Sequence, residues 1–213
     1  MKTFEKTVPD GYTERFHLSA KSTKTAIIMN LAALLIAAAV ILTAVLLVKA
    51  FVPESFFGTD EEGGMSLYMS FFVGIICGSL GLLVYIVLHE LTHGAVYKKL
   101  TGEKLTFGLT ISVAFCGVPN IYVYRRTAII ACAMPLTVFS ALFIPMGIAA
   151  LILTAVFESL AAFGAFVAIT FIFAFHLGGC IGDMYVIFLM LSKFKSPDTL
   201  MRDTGPEQLF YTR

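Results

Sequence analysis

With 213 residues, 58% of them hydrophobic and 14% charged, and a mean hydropathy of +0.88, the chain is far more apolar than a soluble domain tolerates and reads as an integral membrane protein. A net charge of +1, with no Lys/Arg cluster interleaved with aromatics, sets aside nucleic acid as a partner. Cys77, Cys116, Cys132 and Cys180 are scattered with no CxxC pair, which argues against a disulfide framework or a cysteine zinc knuckle and for small buried or interfacial thiols.

The first 24 residues are polar throughout and lack an apolar core with a small-residue cleavage site, so no signal peptide is expected. His17 belongs on that segment's surface. Four apolar stretches follow, about 26–52, 65–97, 127–157 and 160–191, each long enough to cross a hydrocarbon core of about 30 Å, which needs about 20 helical residues. Pro135 and Pro145 fall inside the third, where a membrane helix tolerates a kink without breaking. Of the fifteen Lys and Arg residues only Lys49 lies on the far side of these spans. The rest put both termini and the 101–126 loop in the cytoplasm and "PESFFGTDEEGG" outside.

In the middle loop, Leu105, Phe107, Leu109, Ile111, Val113 and Phe115 alternate with small or polar residues, which is strand periodicity. Gly117, Pro119 and Asn120 then supply a turn before Ile121 to Tyr124. The reading is a β-hairpin at the cytoplasmic membrane surface, serving either as a plain connector or, through Phe107, Leu109, Ile111 and Val113, as an edge on which a substrate docks. The predicted architecture is a single integral membrane domain, all-α and polytopic. It has four transmembrane helices, a short cytoplasmic-side β-hairpin between the second and third, and a cytoplasmic tail over 192–213.

Three titratable residues interrupt the second span in "IVLHELTHGAVY". Such groups are costly at membrane depth and normally face an interior site. His89 and His93, four apart, share a helix face about 6 Å apart along the axis and can grip one metal ion, with Glu90 beside them. This is HExxH, in which two imidazoles bind zinc and the glutamate is the general base. The alternative is three interfacial polar residues at a helix end, which leaves the polar residues of the fourth span unexplained.

A catalytic zinc site takes three protein ligands and keeps one position open. The fourth span offers His176 and Asp183, seven apart and on nearly one helix face. Counted from the flanking lysines at 1.5 Å per residue, the His89 and His93 pair lies about 10 Å inward, Asp183 about 15 Å and His176 about 25 Å. Asp183 therefore matches the pair, and His176 is assigned beside the site, as a hydrogen bonder, oxyanion stabiliser, alternative ligand or packed polar residue. Gly74 and Gly78 in the second span and Gly178 and Gly182 in the fourth form GxxxG steps that allow close helix approach. Two imidazoles and a carboxylate would also suit Fe(II). The HExxH helix favours Zn²⁺.

With "HELTHG" and the mid-span "GD" in place, the chain resembles a family of small bacterial membrane proteins described as "putative zincin peptidases", which looks like a compact relative of site-2-protease-type intramembrane metalloproteases. The resemblance also takes in "VPDGY", "FGL", "YRRTAIIACAMP", "GCIGD" and "RDTG". It implies zinc held by His89, His93 and Asp183, with Glu90 as base. The larger enzymes carry Asp-Gly preceded by Asn and prolines, whereas here Gly182 precedes Asp183, so no oxyanion-stabilising Asn is assigned and Asn120 is a poor stand-in. The expected protein is a zinc-dependent intramembrane endopeptidase of the plasma membrane, acting on membrane-protein or membrane-bound peptide substrates within the lipid bilayer. Rival readings are a divalent-metal binder or transporter, and a non-catalytic binder of membrane segments.

Overall fold

The structure, a computed structural model, describes residues 2–20, 22–57, 61–109 and 114–213, with the side chains of 61–64 left aside. The elements in chain order are β1 (Phe4–Glu5), β2 (Thr13–Ser19), α1 (Thr23–Phe51), a 3-10 turn (Glu54–Phe57), α2 (Glu61–Thr101), β3 (Thr106–Leu109), β4 (Ala114–Gly117), β5 (Tyr122–Tyr124), α3 (Arg125–Phe157), α4 (Leu160–Gly179), α5 (Ile181–Ser192), β6 (Leu200–Asp203) and β7 (Glu207–Thr212). Among the described residues, four helical stretches are long and apolar enough to cross a membrane: Thr23–Phe51, Met65–Thr101, Arg125–Phe157 and Leu160–Ser192. Helix is the form such segments take because hydrocarbon offers no hydrogen bonds and the backbone must satisfy its own. Leu35, Leu42, Phe72, Leu83 and Val156 are exposed on their surfaces, as side chains facing lipid would be.

The fourth stretch, Leu160–Ser192, carries one interruption. It divides at Cys180 into α4 and α5. Gly178, Gly179 and Gly182 crowd one turn, and each weakens helix by about 1 kcal/mol relative to Ala. Cys180 stands at the amino-terminal cap of α5, and Asp183 falls in that helix's first turn.

The chain forms two compact units. The first comprises residues 1–31, 86–137 and 180–213, and holds both sheets. Its larger sheet is antiparallel, in the order β1-β5-β6-β7-β2. Tyr97, Ile121, Val123, Met190, Met201 and Phe210 lie in the core that joins this sheet to α2, α3 and α5. An all-α reading therefore omits a five-stranded sheet. Its strands come from the polar amino-terminal segment, the middle loop and the tail; of these only Ile121 to Tyr124 of the middle loop reads as strand from sequence.

The middle loop also pairs differently from the expected hairpin. Thr106–Leu109 pairs with Ala114–Gly117 in a separate two-stranded sheet, while Tyr122–Tyr124 joins the larger sheet between β1 and β6. Alternation marks residues as strand without naming a partner, and the Gly117 to Asn120 turn links two sheets rather than two paired strands. Ile111 and Val113 lie outside the described residues.

The second unit comprises residues 32–85 and 138–179, entirely helical apart from its connections. Gly74 and Gly78 lie against α4: a Cβ on Gly74 would sit 2.5 Å from the Gly164 carbonyl oxygen, and one on Gly78 would sit 3.1 Å from that of Ala168. Of the other expected step, Gly178 faces Ala33 of α1 and Gly182 has open space, so it is not a helix contact with α2.

Candidate metal centre

Helical spacing places His89 and His93 one turn apart on α2, and both are buried, at 7% and 8% exposure. Their Nε2 atoms are 3.2 Å apart. Asp183 Oδ2 reaches in from the first turn of α5, 3.5 Å from His89 Nε2 and 3.3 Å from His93 Nε2. A carboxylate in that position is favoured by the positive end of the helix dipole. The three ligand atoms form one cluster with the spacing of a metal site.

Neighbouring side chains hold these groups. His93 Nδ1 donates to the carbonyl of Ala131, at 2.9 Å, in the buried first part of α3. The thiol of Cys132, the next residue, is a hydrogen-bonding neighbour of Asp183. Glu90 is half-buried on α2 and lies within electrostatic reach of His89, His93 and Asp183. Gly94, directly after His93, allows the small sheet to lie on the helix: a Cβ there would meet Phe107 Cζ at 2.8 Å and Cys116 Sγ at 3.3 Å. Burial pushes the Cys116 thiol up to about 12, so it stays protonated and unreactive. Phe107 and Leu109 of β3 are 48% and 80% exposed.

One turn beyond His93, Tyr97 donates a 2.6 Å hydrogen bond to Asp203 Oδ2, and Asp203 Oδ1 accepts from the Gly205 backbone at 2.9 Å. Burial raises the Asp203 carboxyl above the ordinary aspartate range, against the pull of those donors. Reading the sequence for chemistry passed over Asp203. The signal was available in "RDTG", an acid before a turn glycine, and Gly205 indeed adopts a left-handed φ of +96°.

His176 lies on α4. It is fully buried, with Nδ1 2.7 Å from the Tyr85 hydroxyl and Nε2 3.1 Å from Ser140 Oγ, among the rings of Phe139, Phe143 and Phe173. Both ring nitrogens have hydroxyl partners. His17 is exposed on β2, 3.9 Å from Glu207.

A model of the family described as "Putative zincin peptidase" matches residues 82–197, more than half of the chain, from two turns before His89 to just past the end of α5. The chain belongs to this family. No curated protein and no solved structure matches it. Zincin peptidases are zinc metallopeptidases, and zinc is the cofactor that membership implies. The residues present fit that ion. Tetrahedral zinc with bonds of about 2.0–2.1 Å sets its ligand atoms about 3.3–3.4 Å apart. The edges of the His89, His93 and Asp183 triangle are 3.2, 3.3 and 3.5 Å. The Ala131 carbonyl fixes His93 with its proton on Nδ1 and its lone pair on Nε2, the tautomer that a ligand needs.

Proposed function

We propose that this zincin-family chain is a zinc-dependent intramembrane endopeptidase, with His89, His93 and Asp183 as the metal ligands and Glu90 as the general base. The observation that carries this reading is the triangle of ligand atoms drawn from α2 and α5 at zinc spacing, with a glutamate beside the first histidine. When bound, the ion supplies Lewis acidity toward the scissile carbonyl and the attacking water. Glu90 takes the water's proton at its carboxylate and passes it to the leaving amine. His93, held by Ala131, and Asp183, held by Cys132, keep their ligand atoms aimed at one point throughout.

The substrate is a membrane-associated segment that presents its cut site extended, because helical carbonyls are hydrogen-bonded and sterically covered. Among the described residues β3 pairs only with β4, and its apolar side chains stand exposed beside the HExxH helix. Addition of an extended segment to that edge is the docking mode this supports. The amino-terminal segment, the middle loop and the tail share one sheet, which favours their lying on one side of the membrane. The basic residues make that side the cytoplasm, so cleavage falls near the cytoplasmic face.

The test is elemental analysis of protein purified in detergent without chelators, paired with cleavage of a transmembrane peptide that carries a helix-breaking Gly-Pro segment. Wild type should hold about one zinc per chain, and His89→Ala and Asp183→Ala should lose it. Glu90→Gln should keep zinc while turnover falls by about 10²- to 10⁴-fold. Wild type without metal, or Glu90→Gln cutting as well as wild type, overturns the proposal.

A further inference from the structure

In an α-helix each carbonyl accepts the N–H of the residue four places on. For Ala131 of α3 that residue is Pro135, which has no N–H to give, and its ring presses on the carbonyl four residues back. Helix α3 nevertheless runs unbroken from Arg125 to Phe157. Both Ala131 and Pro135 are fully buried, so water is a poor substitute for the missing donor. The donor supplied is His93 Nδ1, at 2.9 Å. A carbonyl oxygen can only accept, so Nδ1 carries the proton and Nε2 presents its lone pair, 3.2 Å from His89 Nε2 and 3.3 Å from Asp183 Oδ2.

From this we infer that Pro135 is a positioning residue for the metal centre: by withdrawing a donor from its own helix it releases the Ala131 carbonyl to fix the tautomer and ring orientation of His93. The inference rests on the proposed role of His93 as a ligand. It gives "ACAMP" a second meaning, since Pro135 of α3 and the second histidine of α2 serve one hydrogen bond.

The experiment compares full-length wild type, Pro135→Ala and, as control, Pro145→Ala, an exposed proline in the same helix. Three quantities are read in detergent: zinc affinity by chelator competition, the visible absorption of the cobalt(II)-loaded protein, and the ¹⁵N signature of His93 in the metal-free protein. In Pro135→Ala the restored N–H competes for the Ala131 carbonyl. Zinc affinity is expected to fall on the order of tenfold, as when other groups that orient a ligand are removed. The cobalt band should shift, and His93 should change from a single Nδ1–H tautomer to a mixture, while Pro145→Ala matches wild type in all three. If the smaller side chain loosens packing, the His93 signature decides, because loss of stability alone does not exchange tautomers. A Pro135→Ala protein with wild-type affinity, cobalt band and tautomer overturns the inference. If wild type binds no zinc, the ligand reading fails on its own, and the metal-free His93 signature still judges the link between Pro135 and His93.

Discussion

Two hydrogen bonds on successive turns of α2, from His93 to the Ala131 carbonyl and from Tyr97 to Asp203, tie the His93 face of that helix to α3 and to the end of β6. The second carries a pH signature. Burial holds Asp203 above its ordinary value, so the folded chain binds this proton more tightly than the unfolded chain does. Its contribution to stability therefore rises as pH falls through the folded value, and is complete below the unfolded value of about 3.9. Relative to Asp203→Asn, wild type should gain stability as the pH drops from about 7 to about 4, read from unfolding midpoints of the two proteins in detergent. Parallel midpoints across that range would show that Asp203 does not titrate against folding. At this scale the sequence was informative where chemistry is local. His89, Glu90 and His93 are legible because four-residue spacing is itself the geometry, and Asp183 because helix rise gives depth. Asp203 was not, since its partner Tyr97 and the neighbouring strand β5 lie far from it along the chain.

Helix contacts obey a simpler rule, in which backbone approach is set by the smallest residue between. Gly74 lies where any side chain would enter the Gly164 carbonyl and Val167. Gly74→Val should destabilise the protein by about 1–3 kcal/mol through overpacking, seen as a lowered thermal midpoint, with Gly182→Ala, which has open space, as the tolerated comparison. An unchanged midpoint for Gly74→Val would mean α2 and α4 do not pack through this glycine. Helix existence and length were legible from hydropathy, because hydrocarbon leaves the backbone few alternatives. The break at Cys180 needed the glycine cluster to be read as a stop, whereas the GxxxG rule presented the same residues as a contact. Strand pairing was least legible: period-two alternation marked 105–115, while the partners of β1, β2, β5, β6 and β7 are set by tertiary contact.

For the molecule as a whole, the larger sheet takes β1 and β2 from before the first apolar helix, β5 from between the second and third, and β6 and β7 from after the fourth. If the apolar helices span a bilayer, such a sheet cannot be threaded through it, and the three segments would share a side. In sealed vesicles of one orientation, added protease should remove tags from both ends or from neither; removal of one alone would contradict a shared sheet. The strand order has a further consequence in time. β2 is translated before any of the four apolar helices, and among the described residues it pairs only with β7, which follows all of them. Until β7 leaves the ribosome β2 lacks its partner strand and the sheet stays open. The fold of the first unit therefore closes only with the last strand made, and a chain truncated before β7 should leave β2 without its edge partner.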